Sequence, residues 1–267
     1  MRSTRVQTVA CQLLPVSSED DGLRTWHPDQ VLTYLGAPVE TPYACVLLNR
    51  PVSGREEQAL RLWNGASLRV AVDGGTNVLR ALVQSEDARK QPRPALPDVI
   101  TGDFDSITEE TRHFFEQCEF VHTPDQDETD FTKALRVVAE RAGGVRWVMA
   151  VVDTSGRLDQ IMANVNTLFT AARLLSVPVF QVACDSLSWL LAAGRHVIRL
   201  PAELRRSWCS LVPVGGPATD VSTSGLQWNL AGDDMRFGQL ISTSNRPVAD
   251  TVTVTTSHPL LFSMEIP

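Results

Sequence analysis

From Cys45 onward, short apolar runs alternate with longer segments in which apolar residues recur every three or four positions. The short runs read ACVLLN, LRVAVD, PDVITGD, CEFVHT and RWVMAVVD, and each precedes a segment with helical spacing. Fully apolar runs of this length between amphipathic helices are typical of a parallel sheet that helices cover on both faces. The pattern therefore predicts an α/β domain over residues 42–175.

A different pattern begins after about Ser176. The runs VPVFQVAC, RHVIRL, SLVPVGG and DTVTVTTS are rich in Val, Ser and Thr, and Gly and Pro separate them. Short strands at this spacing are typical of a β-sandwich or a barrel. We therefore expect residues 176–267 to form a β-sandwich, so that the fold class is α/β plus all-β.

Residues 1–41 show neither pattern, and we interpret them as a partly disordered leader. Arg2 and Arg5 occur there without an acidic residue in the first 16 positions, as in transit peptides, but the amphipathic arginine pattern of an import signal is missing. The five cysteines are scattered without a C-x-x-C pair, which favours reduced thiols over disulfides or a zinc site. We therefore expect a cytoplasmic protein.

The overall charge and the hydropathy of the chain limit the classes of partner that it can bind. A formal net charge of -7 argues against non-specific binding to nucleic acid and to anionic membrane surfaces. No apolar run approaches the roughly 18 residues of a membrane span. We therefore expect neither a nucleic-acid partner nor a membrane partner.

Carboxylates are concentrated between residues 98 and 130, where eleven of them face a single arginine, Arg112. Aspartates also follow directly on several predicted strands: Asp73, Asp103, Asp105, Asp125 and Asp153. The carboxyl ends of parallel strands share one edge of the sheet, where open α/β sheets bind ligands. Carboxylates that meet there would raise one another's pKa unless a cation compensates them, and hard oxygen ligands suit Mg²⁺. The pattern predicts a site for Mg²⁺ with a polyphosphate; the alternative is a solvated acidic surface with helix-capping aspartates.

The common nucleotide-binding motifs are absent. Neither of the two lysines follows a glycine, and no two glycines are separated by one residue, so the chain has neither a Walker A loop nor a G-x-G-x-x-G fingerprint. Gly74 and Gly75 instead occupy a predicted strand-to-helix turn, where their amides could approach a phosphate at the helix N-terminus. The alternative is that the two glycines serve only the geometry of the turn.

Six motifs together carry a resemblance to a known family: DGGTN, GDFDSI, TPDQDETDFTKAL, GRLDQIMANVNTL, GLQWNL and STSN, in this order. From about Tyr43 to the C-terminus the chain resembles the thiamine pyrophosphokinases of the eukaryotic type. The resemblance implies transfer of the pyrophosphoryl group of ATP to thiamine, giving thiamine diphosphate and AMP. It also implies Mg²⁺ and a homodimer whose active site lies between the two chains.

The resemblance also implies roles for individual residues of the α/β domain. Asp73, Asp103, Asp105 and Asp130 would surround Mg²⁺ and the phosphates, and Asp103 or Asp130 could accept the proton of the thiamine alcohol. The same implied site includes Gly74, Gly75, Asn77, Gln126, Lys133, Arg157 and Asp159. The planar guanidinium of Arg157 suits a phosphate clamp, although it could also be a surface arginine. Lys133 could reach a phosphate or could pair with Asp130 three residues earlier.

In the β domain, the resemblance implies that Trp228 stacks on thiamine and that Ser244 and Asn245 contact the pyrimidine. An aromatic face with amide and hydroxyl groups suits a cationic thiazolium and an aminopyrimidine. Without the resemblance, Trp228 would be interpreted as a core residue of the sandwich.

The chain departs from the family pattern before Gly156, where Val152 and Asp153 replace a usual pair of glycines. Asp153 could join the carboxylate cluster, repel the phosphates of ATP or point away. Two other functions stay open. The same carboxylates could serve a Mg²⁺-dependent phosphohydrolase that acts on a nucleotide or diphosphate with water as nucleophile, and the departure at Asp153 would favour a non-catalytic thiamine-binding protein.

Overall fold

The computed structural model describes residues 23–32, 42–52, 54–85, 94–183, 185–206 and 208–266. The α-helices are α1 (Pro28–Val31), α2 (Glu56–Gly65), α3 (Gly75–Gln84), α4 (Glu109–Phe114), α5 (Asp130–Arg141) and α6 (Leu158–Leu174). The strands of the first half are β1 (Leu23–Trp26), β2 (Ala44–Leu47), β3 (Leu68–Val72), β4 (Val99–Gly102), β5 (Phe120–His122), β6 (Val148–Val151) and β7 (Val179–Val182). Those of the second half are β8 (Ser186–Leu191), β9 (Gly194–Arg199), β10 (Cys209–Val212), β11 (Ala218–Ser224), β12 (Ala231–Met235), β13 (Ser242–Asn245), β14 (Thr251–Thr256) and β15 (Leu260–Glu265).

A ten-stranded sheet forms the centre of the molecule, in the order β13-β10-β15-β8-β7-β6-β2-β3-β4-β5. The six strands from β7 to β5 run parallel, and four of them, β2, β4, β6 and β7, are buried along their whole length. The predicted α/β class is confirmed. β7 lies beyond the predicted boundary at residue 176 but continues the parallel part, and the sheet becomes antiparallel only between β7 and β8.

A second, five-stranded sheet has the order β1-β9-β14-β11-β12. In β14 the residues alternate, with Val252 and Val254 fully buried and threonines between them. Those valines share a core with Trp189 and Phe262 of the antiparallel half of the large sheet. Alternating strands of two sheets that face one core are the arrangement of a β-sandwich, so this part of the predicted fold class is also confirmed.

Helices α5 and α6 cover the opposite face of the large sheet, where Phe131, Leu135 and Leu168 pack with Val46 and Val148. The start of α5 is fixed locally, because the Thr129 hydroxyl accepts a hydrogen bond from the Thr132 amide at 3.1 Å. Among the described residues, no helix combines the length and the apolar character that crossing a membrane requires.

Residues 23–32 lie within the segment predicted as a leader, but they belong to the fold. β1 pairs in parallel with β9, and Trp26 is buried against Phe180 and Trp189. The segment LRTW is neither a continuous apolar run nor an alternating one, and three of its four residues are exposed, which is why the sequence did not predict this strand. The rest of the predicted leader, residues 1–22 and 33–41, lies outside the described residues.

Trp26 also fixes which ring nitrogen of His196 carries the proton; this histidine is buried in β9. The Trp26 indole donates to His196 Nδ1 at 3.0 Å, so the other ring nitrogen, Nε2, carries the proton and donates to the Ala192 carbonyl at 2.8 Å. Burial lowers the pKa of His196 below its ordinary value of 6.5; the hydrogen bond to the Ala192 carbonyl acts in the opposite direction, and the charge of Arg24 lowers the pKa further.

We expect the free energy of unfolding to decrease as the pH falls below about 6.5, because the unfolded chain then binds a proton that folded His196 resists. The loss should stop once the pH is below the lowered pKa of the folded state. Urea unfolding between pH 5 and 8 measures the effect. His196→Gln should flatten this part of the profile, whereas His258→Gln, at an exposed histidine, should leave it unchanged; equal profiles for both variants would contradict the assignment.

Candidate active site: an acid cluster at the edge of the parallel sheet

Three aspartates meet at the carboxyl edge of the parallel strands. Asp73 follows β3, and Asp103 and Asp105 follow the adjacent parallel strand β4. One carboxylate oxygen from each lies within 4.8 Å of the others. We call these three residues the acid cluster. The expected convergence of aspartates at this edge is therefore observed for three of the four implied metal ligands.

At this edge of the sheet, the backbones at the ends of β3 and β4 lie close together. Asp73 has a left-handed backbone (φ 44°), and its amide donates to the Thr101 carbonyl at 2.7 Å. A Cβ atom on Gly102 would lie 2.8 Å from Asp73 Cβ, so a larger residue there would push the two strand ends apart. The strained conformation of Asp73 and the absence of a side chain at Gly102 together place the Asp73 carboxylate among the other two.

The environment of Asp73 leaves its negative charge poorly compensated. Asp73 is only 5% exposed, and burial raises its pKa, although hydrogen bonds from Gly74 and Ser106 act in the opposite direction. The nearby charge of Asp130 raises this pKa further. A desolvated carboxylate close to other carboxylates is best compensated by a cation, and an all-oxygen set suits Mg²⁺. The donor chemistry of the acid cluster therefore fits this ion.

The pKa of Asp103 is lowered, whereas that of Asp73 is raised. The Gln126 amide donates to Asp103 Oδ2 at 3.1 Å, and this hydrogen bond is the main reason why the pKa of Asp103 is lowered. Gln126 belongs to the site implied by the resemblance, and its side chain contacts a member of the acid cluster. The contact keeps Asp103 ionised, which is the state a cation ligand requires.

Asp130 lies outside the three-carboxylate group. Its Oδ1 forms an ion pair with Lys133 Nζ at 2.6 Å, and the same ammonium donates to the Asp125 carbonyl at 3.1 Å. The Lys133 side chain is 5% exposed. Of the two alternatives for Lys133, the structure shows the pairing with Asp130; contact of Lys133 with a phosphate stays a prediction.

The glycine pair after β3 is explained by packing against β2. A Cβ on Gly74 would lie 2.2 Å from the Asn49 side chain, and one on Gly75 would lie 2.4 Å from the Leu47 carbonyl. Asn77 braces the loop that carries the acid cluster, because its Nδ2 donates to the Ser106 carbonyl at 2.7 Å and its Oδ1 accepts from the Thr108 amide at 3.2 Å. Binding of phosphate by these residues stays a prediction.

The loop after β6 carries Arg157, which forms a two-point ion pair with Asp159 at the start of α6. Both side chains are exposed, at 70% and 61%. Asp153, the departure from the family pattern, accepts from the amide of Ser155 at 3.0 Å and from its hydroxyl at 2.6 Å. Asp153 and Asp125 are not members of the acid cluster.

In the β domain, Trp228 is 59% exposed, so the interpretation of this residue as part of the sandwich core is wrong. Asn245 is 3% exposed and holds the Trp228 backbone at two points: Asn245 Nδ2 donates to the Trp228 carbonyl at 2.7 Å, and the Trp228 amide donates to Asn245 Oδ1 at 3.2 Å. Ser244 is exposed beside them with φ 54°. Trp228, Ser244 and Asn245 are thus brought together, with the indole presented to the surface.

The sequence reasoning missed Ser106. Its amide lies 3.4 Å from Asp73 Oδ1, and its hydroxyl donates to Asp105 Oδ1 at 2.8 Å, so that it joins two members of the acid cluster. Its position directly after the second aspartate of GDFDSI was the available signal.

The fold and the site define a two-part protein with an acid cluster on a parallel α/β sheet and an exposed tryptophan on a β-sandwich. Two family models match the chain: the thiamin pyrophosphokinase catalytic domain over residues 59–179 and the thiamin pyrophosphokinase vitamin B1 binding domain over residues 195–261. The chain belongs to the thiamine pyrophosphokinase family.

Individual proteins support this assignment. Thiamine pyrophosphokinase 1 of Arabidopsis thaliana is 33% identical over 239 residues, which cover 85% of this chain and 87% of the relative. Thiamine pyrophosphokinase 1 of Oryza sativa subsp. japonica is 31% identical over 236 residues, covering 84% and 87%. The fold is also that of yeast thiamin pyrophosphokinase, with a TM-score of 0.79 at 18% identity over 95% of both chains.

Proposed function

We propose that this protein is a Mg²⁺-dependent thiamine pyrophosphokinase, which transfers the pyrophosphoryl group of ATP to thiamine and releases AMP. The observation that carries the proposal is the acid cluster: one carboxylate oxygen from each of its three aspartates lies within 4.8 Å of the others, and Asp73 is buried. It is supported by family models that match both parts of the chain.

The reaction forms a bond between the thiamine hydroxyethyl oxygen and the β-phosphorus of ATP, and the bond from this phosphorus to the oxygen of AMP breaks. Mg²⁺ held by Asp73, Asp103 and Asp105 would supply positive charge next to the phosphates. Gln126 orients the Asp103 carboxylate, and the alcohol proton passes to Asp103 or Asp130. Positioning and charge compensation carry most of this chemistry, since phosphoryl transfer requires little covalent work from the protein.

For the remaining residues of the nucleotide side we propose phosphate binding. Arg157 would exchange its ion pair with Asp159 for phosphate oxygens, which its exposed position allows. Gly74, Gly75 and Asn77 shape the adjacent helix start, and Lys133 contributes a positive charge near Asp130. The Asp153 carboxylate accepts two hydrogen bonds from Ser155. These contacts support an active enzyme, because they hold the carboxylate within its own loop instead of leaving it to repel ATP from the acid cluster.

We propose that residues 42–175 bind ATP and Mg²⁺ and that residues 176–267 bind thiamine through Trp228, Ser244 and Asn245. A homodimer with an active site shared between chains would bring the two parts together. Exposed large apolar side chains support a covered surface on the β domain: Trp228, Phe237, Leu240, Ile241 and Val248. The unpaired thiols of Cys45, Cys118 and Cys209 are consistent with the proposed cytoplasmic location.

Nucleotide products distinguish the candidate functions. With ATP and Mg²⁺, we expect AMP only when thiamine is present, together with one equivalent of thiamine diphosphate. ADP or inorganic phosphate formed without thiamine would indicate a phosphohydrolase. Thiamine binding without turnover would indicate a non-catalytic binding protein, and either result would overturn the proposal.

Replacing Trp228 with alanine should raise KM for thiamine by roughly 5–150-fold, because stacking of a ring on an aromatic side chain contributes about 1–3 kcal/mol. KM for ATP should stay within about twofold. Steady-state kinetics with each substrate varied in turn measures both. Leu96→Ala is the matched control at another exposed apolar residue, far along the chain, and should change neither value. Equal loss of both substrates in Trp228→Ala would contradict the role.

A further inference from the structure

Phe104 lies between two members of the acid cluster and has a left-handed backbone, with φ 68°. This conformation is unfavourable for a bulky residue other than glycine, because the Cβ atom comes too close to the following carbonyl oxygen. A strained backbone of this kind persists only where the surrounding structure holds it, and such positions are concentrated at functional sites. The conformation of Phe104 must therefore be maintained by its contacts.

The turn at Phe104 directs the two flanking aspartates toward each other. The Asp105 amide donates to Asp103 Oδ1 at 3.3 Å, which closes a turn through the Asp103 side chain. The next residue, Ser106, donates from its hydroxyl to Asp105 Oδ1 at 2.8 Å, and its amide lies 3.4 Å from Asp73 Oδ1. The change of backbone direction at Phe104 therefore affects all three carboxylates of the acid cluster.

The ring of Phe104 is held by side chains of the neighbouring strand β5. It meets Phe120 edge to face, with ring centroids 5.5 Å apart and an angle of 77° between the planes, and it lies 5.6 Å from the ring of His122. Edge-to-face packing is a favoured arrangement of aromatic rings. Phe104 and Phe120 are partly buried and pack against the core that includes Ile100. The ring thus ties the loop after β4 to the parallel strand beside it.

A cation from α4 contacts the same two rings. The guanidinium carbon of Arg112 lies 5.5 Å from the centre of the Phe104 ring and 5.3 Å from that of Phe120. Both distances are within the limit of about 6 Å for a cation–π interaction. Arg112 is also the only arginine or lysine in residues 98–130. Phe104 is therefore anchored on two elements, β5 and α4, that lie on either side of its loop in the chain.

We propose that Phe104 is a positioning residue for the metal site: its anchored ring maintains the left-handed turn that brings Asp103 and Asp105 together. This inference rests on the proposed Mg²⁺-binding role of the acid cluster. The Phe104 side chain has no oxygen or nitrogen, so it is not a ligand and acts only through the aspartates. Without the ring, the backbone can relax to an ordinary conformation and the two carboxylates can separate, which weakens the binding of a divalent cation.

Binding of Mn²⁺, which accepts the same oxygen ligands as Mg²⁺, tests the proposal on the full-length chain without nucleotide. Phe104→Ala should raise the dissociation constant, measured from the electron paramagnetic resonance signal of the free ion, by about 10–100-fold, the usual effect of removing a group that orients metal ligands. Phe104→Tyr keeps the ring and should bind Mn²⁺ as the unmodified chain does. The matched control is Phe114→Ala, at a 41% exposed position of α4, which should leave the affinity unchanged.

Urea unfolding of the same variants separates positioning from stability, because a ring that only stabilised the fold would change the unfolding midpoint and not the Mn²⁺ affinity of the folded protein. If Phe104→Ala does not fold, Phe104→Leu replaces it. Leucine fills the core without aromatic contacts and should raise the dissociation constant at least about threefold.

Equal Mn²⁺ affinities of Phe104→Ala and Phe114→Ala, or the same loss in Phe104→Tyr as in Phe104→Ala, would overturn the positioning role while leaving the proposed function intact. Absence of saturable Mn²⁺ binding by the unmodified chain would overturn both this inference and the proposed metal site. The expected order of affinities in a chain that makes no thiamine diphosphate would support the positioning role and count only against the proposed reaction.

Discussion

Asp73→Asn should lower kcat/KM for pyrophosphoryl transfer by about 10²–10³-fold, the range that follows when one preorganised electrostatic contact to a transition state is removed. The same substitution should not lower thermal stability in the absence of Mg²⁺. Asparagine tolerates the left-handed backbone of Asp73 and retains an oxygen for the amides of Gly74 and Ser106. It also removes a buried charge whose raised pKa shows that the folded protein disfavours it.

Kinetics at saturating Mg²⁺ and thermal unfolding without Mg²⁺ measure the two effects on one protein. The matched control is Asp127→Asn, an exposed aspartate of the same acidic segment that is not part of the acid cluster, and it should leave both values close to those of the unmodified protein. Activity within twofold of the unmodified enzyme, or a melting temperature lowered by several degrees, would show that Asp73 has a structural role instead.

Trp26→Ala should lower the free energy of unfolding by about 3–5 kcal/mol, the usual cost of removing a large aromatic side chain from a core. Trp26 is 7% exposed and lies 5.8 Å from the ring of Trp189, measured between ring centroids. The substitution also removes the indole that donates to His196, leaving a buried ring nitrogen without its donor.

Urea unfolding measures this loss, with Leu23→Ala as the control. Leu23 lies in the same strand but is 46% exposed, so its replacement should cost less than about 1 kcal/mol. Similar costs for the two variants would mean that β1 is not integrated into the core through Trp26. A large difference would establish that residues 23–32 are part of the folded unit.

Much of the fold follows from local patterns in the sequence. The apolar runs that became β2, β4 and β6 are buried along their whole length, because parallel strands in the middle of an α/β fold are covered on both faces. The position of β7 was harder to predict, since VFQV resembles the following strands in composition and only its parallel pairing with β6 assigns it to the first half. The amino-acid composition of a strand does not indicate whether its neighbours in the sheet run parallel or antiparallel to it.

The candidate site likewise combines features that the sequence predicts with features that only the structure shows. Aspartates that follow strands predict a shared edge, and Asp73, Asp103 and Asp105 are found together there. Asp125 follows a strand in the same way, yet its carboxylate accepts a hydrogen bond from the Asp127 amide within its own loop. Position at a strand end is a property of the sequence, whereas the direction of each side chain depends on loop geometry.

The sequence by itself determined the two-part architecture, the edge of the sheet where the acids meet and the family to which the chain belongs. These features depend on short-range periodicity and on motifs, which the order of residues carries directly. Only the tertiary structure decided that Trp228 is exposed while Trp26 is buried, and that Asp103 joins the acid cluster whereas Asp125 does not. Each depends on contacts between segments distant in the chain, where burial and charge compensation are set by neighbours that no local pattern specifies.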